Sequence, residues 1–274
     1  MIDLAIIGSG PASLSAAVYA ARAGLDVVVY ERNRIGGALT EIAQIENYPG
    51  FFGPGANLAE NMKKQALDAG AKIEYGECES ITKDENFKLV IDGEEVESRT
   101  VLVATGSEPK KLNIEGIEKP ISYCALCDGA LYKDKDIVVV GSGNSAFQES
   151  IYLAKIAKTV TILAKAELKA EPYLLEKMKA CENIIVKEMT ESTAELLNTF
   201  DGIFVFIGKQ PATSFLPKEI LSEDKYIKTE NYMTDIPGLF AAGDVRDGSI
   251  KQAVSASSEG AAAAIAAVAY INKK

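Results

Sequence analysis

Two stretches of the chain set out the same order of apolar runs, glycine turn and helix. A strand-like segment from Ile2, ending in the apolar run Leu4-Ala5-Ile6-Ile7, reads as a buried strand. Gly8-Ser9-Gly10-Pro11-Ala12-Ser13 follows, then an Ala-rich helical stretch through Ala23 and a second strand, Val27 to Tyr30. The pattern returns at Ile137 to Val140 and passes through Gly141-Ser142-Gly143-Asn144-Ser145-Ala146. A helical stretch through Ala157 and the strand Val160 to Leu163 complete it. An offset of 133 residues carries Gly8 onto Gly141, Tyr19 onto Tyr152, Val27 onto Val160 and Val28 onto Thr161. One such glycine turn is common. Two in register, each flanked by strand, helix and strand, indicate two dinucleotide-binding βαβ units in an α/β, doubly wound fold.

The spacing has a chemical reason. The first glycine permits the tight turn, and the second lets the backbone approach a pyrophosphate. The helix N-terminus then offers its free N–H groups to that anion. Ser13 and Ala146 stand where the third glycine would pack helix on strand. A glycine turn that only packs its helix is the alternative in either copy. The copies differ at the end of the second strand: the first ends in Glu31, a carboxylate suited to ribose hydroxyls, and the second in Ala164. Only Lys165 and Lys169 stand near Ala164, with ordinary solvated positions as their alternative reading.

At 274 residues the chain has room for two domains. Its 29 Lys and Arg against 39 Asp and Glu leave a net charge of −10, which argues against nucleic acid and anionic membrane partners. The composition, 47% hydrophobic and 25% charged, is that of a folded globular chain. No uninterrupted apolar run reaches the roughly 18 residues of a membrane span, and the first residues enter a strand directly, so the expected location is cytoplasmic. Histidine is absent, which removes Ser-His-Asp and Cys-His systems and nearly every zinc site not built from four thiolates.

Of the four cysteines, Cys124 and Cys127 form a Cys-x-x-Cys within Tyr123-Cys124-Ala125-Leu126-Cys127-Asp128-Gly129. Two thiols so spaced can close a small reducible disulfide. A zinc knuckle would need a second pair, and Cys78 and Cys181 are isolated in sequence. Asp128 is the nearest carboxyl to protonate a leaving thiolate, with a turn or capping aspartate as the alternative.

Gly8-Ser9-Gly10-Pro11-Ala12, Glu46-Asn47-Tyr48-Pro49-Gly50, Ala104-Thr105-Gly106, Cys124-Ala125-Leu126-Cys127-Asp128 and Ala241-Ala242-Gly243-Asp244-Val245 together resemble the ordered signature set of the low-molecular-weight thioredoxin reductases. The resemblance implies two doubly wound Rossmann-like domains: an FAD domain over 1–111 and 236–274, and a smaller NAD(P)-type domain inserted over 112–235. Short alternating strands and an Asp92-Gly93 turn between Cys78 and Arg99 fit a small β-meander of the FAD domain. Carried over by position, Gly8, Gly10, Pro11 and Ala12 hold the FAD pyrophosphate, Glu31 the adenosine ribose, and Gly36 and Gly37 the adjoining chain. Asn47 approaches the flavin, as do Lys251, Gln252 and Ala253, which match an Arg-Gln-Ala of relatives. Gly243 and Asp244 hold the ribityl and phosphate portion, and Ala104 and Gly106 belong to the same cofactor set. Cys127 matches the thiol lying against the flavin and Cys124 the one attacking the partner disulfide. A homodimer and a rotation of one domain against the other are also implied.

Three departures stand out. Relatives carry His-Arg-Arg and a further Arg after the second domain's second strand, where this chain has Ala164-Lys165-Ala166 and Lys169, and lysine lacks the guanidinium fork. Ala38 replaces a usual Gln. Only 14 residues, Lys187 to Phe200, stand where relatives insert a meander. The expected activity is transfer of electrons through FAD and the Cys124–Cys127 disulfide to a thioredoxin-like protein. The leading donor is NADH or NADPH, with Gly141, Gly143, Asn144, Ser145, Ala146 and Lys165 as nucleotide candidates; ferredoxin or another reduced carrier is the alternative. A redox-sensing flavoprotein without sustained turnover and the reductase of a peroxide-reducing system are the rival readings.

Overall fold

In the computed structural model, which describes residues 1–273, the strand Ile2–Ile7 lies between Val27–Glu31 and Glu94–Val103 and runs parallel to both. Leu4 and Ile6 enter the core on one face of this sheet, Ala5 and Ile7 the core on the other. Burial on both faces explains an unbroken apolar run where a half-exposed strand would alternate. Lys72–Tyr75 extends the parallel edge beyond Val27–Glu31, and Leu239–Ala241 pairs in parallel with Glu94–Val103. Cys78–Lys83 and Phe87–Ile91 add antiparallel strands, giving seven in all. Asp92 and Gly93 turn the last hairpin at φ 47° and 81°, the left-handed pair that a two-residue hairpin needs.

The chain forms two compact units, Met1–Glu108 with the chain from Pro211 onward, and Pro109–Gln210. Residues 211–235, expected in the inserted domain, therefore belong to the first unit. Their apolar side chains decide this: Leu216, Ile220 and Ile227 bury in the core that holds Val101, Leu239 and Val245, and the Ile227 N–H bonds the Val245 carbonyl at 3.0 Å.

The second unit has five parallel strands in the order Ile121–Ser122, Gly202–Val205, Asp136–Val140, Thr159–Leu163 and Ile184–Lys187. Its helix Asn144–Leu153 stops four residues before the expected end at Ala157. Past Leu153 the Lys155 and Ile156 N–H groups bond Tyr152 and Leu153, three residues back, at 3.2 and 2.9 Å, and the Asn183 amide takes the free carbonyls of Ala154 and Ala157 at 2.8 and 3.2 Å. Between Lys187 and Gly202 the chain makes one short helix, Ala194–Leu197.

The helix Ala253–Asn272 is long and apolar enough to span a bilayer by length and composition alone, although three serines and Glu259 interrupt its apolar run. Its small residues are occupied otherwise. Ala256, Ala263, Ala264 and Ala267 pack into the same core as Ala12, Ala16 and Ala20 of the helix Pro11–Arg22. Gly260 lies closest, where a Cβ would stand 1.9 Å from the Ala12 carbonyl oxygen. Gly260→Ala should therefore cost about 1–3 kcal/mol through overpacking. Gly10→Ser, at an unstrained φ of −71° with nothing within 4 Å of the added Cβ, should stay within about 0.5 kcal/mol of wild type. Urea unfolding of FAD-free protein checks both, and equal midpoints for the two variants would contradict this packing.

Candidate functional site

The register of the parallel strands gathers most cofactor candidates of the first unit. Ile7, Tyr30, Val103 and Ala241 are neighbours across the sheet, so the residues that follow them, Gly8, Glu31, Ala104 and Ala242, line up at its carboxyl edge. That edge is where doubly wound sheets bind ligands. The backbone is tight here: Gly8 has φ 97°, and a Cβ on it would lie 2.6 Å from the Ala104 carbonyl oxygen. Two residues on, the opposite holds. Gly10 caps the helix Pro11–Arg22, and a Cβ there would meet no protein atom within 4 Å. The result is an open cradle in front of first-turn N–H groups, including that of Ala12, with Pro11 at the position where a missing N–H costs nothing. Free N–H groups at a helix N-terminus suit an anion such as the FAD pyrophosphate.

Glu31 is 8% exposed and accepts the Ser9 hydroxyl at 2.6 Å and the Asn33 N–H at 2.8 Å. Ser9 in turn holds the Gly36–Gly37 turn, its carbonyl accepting the Gly36 N–H at 3.0 Å. Beside this network a cleft is lined by Glu31, Arg32, Glu77, Cys78, Glu108 and Phe215. Within this lining Arg32 pairs with Glu77 at 3.3 Å and with Glu108. Burial pushes the Cys78 thiol up to about 12, which makes it an inert side chain at neutral pH. Gly106, at φ 68°, turns the chain out of the sheet edge two residues after Ala104.

The flavin-side candidates also meet. The Asn47 amide donates to Gln252 at 3.0 Å, immediately before the helix that begins at Ala253. Lys251 donates to the Tyr226 hydroxyl and sits over its ring, so Tyr226 joins a set in which sequence reasoning did not include it. A larger omission surrounds Gly243 and Asp244. Glu259, 8% exposed, accepts the Gly243 N–H at 2.9 Å, the Arg246 guanidinium at 3.0 Å from both Nε and Nη2, and the Ser249 hydroxyl at 2.8 Å. Burial alone would raise its carboxyl, and these four donors outweigh it and hold the carboxyl below the usual range. The sequence carried one signal, since Glu259 is the only charge in the helix Ala253–Asn272.

In the second unit Cys124 and Cys127 are joined as a disulfide, with Cα atoms 5.3 Å apart. Cys124 caps the short helix Ala125–Asp128, and the Cys127 N–H donates to Cys124 Sγ at 3.1 Å. Cys127 is exposed and Cys124 half-buried. Asp128 bonds the Ser122 hydroxyl at 2.7 Å, and Ser122 accepts the Cys124 N–H at 3.1 Å. Asp128 therefore reaches the disulfide through Ser122 and the Cys124 backbone.

The second glycine turn repeats the first in part. Gly141, at φ 154°, would clash at 2.4 Å with the Phe206 carbonyl oxygen if it carried a Cβ, and Gly143 faces open space. Ala146 is fully buried, and Ser145 follows Asn144 in the first turn of the helix. Around the turn, however, acids take up the polar groups. Asn144 and Glu171 bond reciprocally, at 3.0 and 2.8 Å, and the Lys169 N–H bonds the Ser142 carbonyl at 2.8 Å. Lys165 pairs with Glu191 at 3.1 Å, and Ala164 is fully buried. Residues 109–210 contain no arginine, so no guanidinium fork stands beside this turn.

Residues 2–260 match the family model for pyridine nucleotide-disulphide oxidoreductases. The chain is 37% identical to a thioredoxin reductase of Listeria innocua over 302 aligned positions, covering 99% of this chain and 94% of that protein. It is 38% identical to a 34.2 kDa protein in the rubredoxin operon of Clostridium pasteurianum, covering 100% and 98%. The crystal structure of Lactococcus lactis thioredoxin reductase in its FR conformation superposes with a TM-score of 0.93 at 31% identity, covering 100% of both chains. FAD binding is consistent with this membership. A match along nearly the whole chain, joined to an intact Cys124–Cys127 disulfide, places the chain in the pyridine nucleotide-disulphide oxidoreductase family, among the low-molecular-weight thioredoxin reductases.

Proposed function

We propose that this protein carries electrons from a reduced donor, by way of FAD and the Cys124–Cys127 disulfide, to a thioredoxin-like protein. The observation that carries the proposal is the disulfide itself, closed between two residues of one helical turn and reachable from solvent at Cys127. Bound FAD supplies the two-electron reduction that opens such a bond. Gly8, Gly10, Pro11 and Ala12 hold its pyrophosphate, Glu31 its ribose, and Gly36, Gly37, Ala104 and Gly106 the surrounding backbone. Asn47, Lys251, Gln252 and Ala253 border the flavin, and Gly243 and Asp244 take the ribityl and phosphate portion.

Once reduced, Cys124 is the better nucleophile, because the Cys127 N–H aimed at its sulfur stabilises a thiolate there. The Cys124 thiolate attacks one sulfur of the partner disulfide and forms a mixed disulfide, and the displaced partner thiolate takes a proton. Cys127 then attacks Cys124, which re-forms the internal disulfide and releases the partner as a dithiol. Asp128 and Ser122 hold the Cys124 backbone during this exchange. Thiols that cycle in this way belong in a reducing compartment, which supports a cytoplasmic setting; the homodimer is carried over from the family resemblance.

The donor reading favours no strong preference for NADPH over NADH. Each arginine–phosphate contact is worth about 1.5–3 kcal/mol, and Lys165 is already paired with Glu191. A second reading, a reduced iron–sulfur carrier such as ferredoxin, draws support from the acids around the second glycine turn and from a relative named for a rubredoxin operon.

Three outcomes are expected. Gly10→Val, by filling the cradle, should purify without bound FAD while remaining folded; full FAD occupancy by visible absorbance would remove this loop from the site. Cys127→Ser should trap thioredoxin as a stable mixed disulfide on non-reducing gels, and adducts formed only by Cys124→Ser would reverse the two roles. Stopped-flow reduction of the flavin should proceed at similar rates with NADH and NADPH. Fast reduction at micromolar NADPH with much slower NADH would overturn the selectivity argument, and rapid reduction by ferredoxin alone would favour the second reading.

A further inference from the structure

We infer that Glu259, acting with Arg246, is a positioning residue for FAD: it fixes the turn that carries Asp244 against the first helix. The inference rests on the FAD reading above. Glu259 is the only charged residue in a helix of 20, and its side chain lies inside the first unit. A buried carboxylate is tolerated only when its oxygens are fully used, and here they are. Oε2 accepts the Gly243 N–H and Arg246 Nε, and Oε1 accepts Arg246 Nη2 and the Ser249 hydroxyl. One carboxylate thus ties both ends of the segment 243–249 to the helix Ala253–Asn272. Arg246 also sits over the Tyr232 ring, its guanidinium carbon 5.3 Å from the ring centre.

The backbone group this carboxylate holds is the one directly preceding Asp244. Gly243 has φ 77°, and a Cβ on it would lie 3.0 Å from the Ala12 side chain, so the turn abuts the first turn of the helix that fronts the Gly10 cradle. Slack at Glu259 therefore changes the spacing between the two cofactor-facing segments, Asp244 and the helix N-terminus. Glutamine at 259 keeps one acceptor oxygen and brings an NH2 group. That group must face either Gly243 N–H with Arg246 Nε, or Arg246 Nη2 with Ser249, so one side loses its acceptor. Aspartate keeps both acceptors on a shorter stem.

The test uses full-length holoprotein and reads the FAD dissociation constant from flavin fluorescence, with the flavin midpoint potential and the urea midpoint measured alongside. Glu259→Gln should weaken FAD by about tenfold or more, and Glu259→Asp should recover part of that loss. Arg246→Met should match Glu259→Gln, and the double variant should be no worse than either, because the two residues act as one unit. Asp3→Asn is the structural control. It breaks the Asp3–Arg99 pair, 2.9 Å long, at the opposite end of the first strand from Gly8, and should lower the urea midpoint without changing FAD affinity. FAD affinity in Glu259→Gln within about twofold of wild type would overturn the inference, as would an equal loss in Asp3→Asn. Should Glu259→Gln fail to fold, Glu259→Asp and Arg246→Met carry the same comparison. Wild-type protein that binds no FAD would overturn the cofactor reading instead, leaving a distinct signature from failure of the Glu259 argument.

Discussion

Backbone meets backbone at two places around the first helix, and a side chain at either would force them apart. Gly8 passes under the Ala104 carbonyl and Gly260 under the Ala12 carbonyl, at distances where a Cβ would overlap oxygen. The first contact ties the glycine turn to the neighbouring strand end; the second brings the long C-terminal helix against the same turn. With these two contacts flanking the start of the helix Pro11–Arg22, the space at Gly10 stays open. The carboxyl edge of the sheet is thus shaped by missing side chains. Its polar groups, Glu31, Ser9 and the Glu259 cluster, then set where charge can be received.

Much of this frame was legible in the sequence because it depends on local pattern. The strand Ile2–Ile7 coincides with the strand-like segment read from the sequence, and both copies of strand, glycine turn, helix and strand are present. The Asp92-Gly93 hairpin follows from turn chemistry alone. What escaped depends on contacts distant in sequence. Glu259 and Arg246 sit 13 residues apart on different elements, and no periodicity links them. The helical stretch expected to reach Ala157 ends at Leu153, and the carbonyl of Ala154 just past that end is taken by Asn183, 29 residues on in sequence. Residues 211–235 carry few apolar side chains and no strong periodicity, and the tertiary packing of Leu216, Ile220 and Ile227 assigns them to the first core.

The two glycine turns now read differently. Both leave open space at the second glycine, yet the first faces a buried, hydrogen-bonded carboxylate and the second faces two exposed acids already bonded to Asn144 and Lys165. The same local motif therefore supports two different electrostatic settings. Asp128 lies next to the disulfide in sequence, and in the structure it accepts the Ser122 hydroxyl, which itself accepts the Cys124 N–H.

The central claim is that FAD and the Cys124–Cys127 disulfide form one electron store. Anaerobic titration of the holoprotein with dithionite, followed at the flavin absorbance, tests it most directly. If the account holds, wild-type protein takes up two electron pairs per chain, one for the flavin and one for the disulfide, and a protein with both cysteines changed to serine takes up one. Uptake of a single pair by both proteins would show that the disulfide does not exchange electrons with the flavin, and would contradict the account.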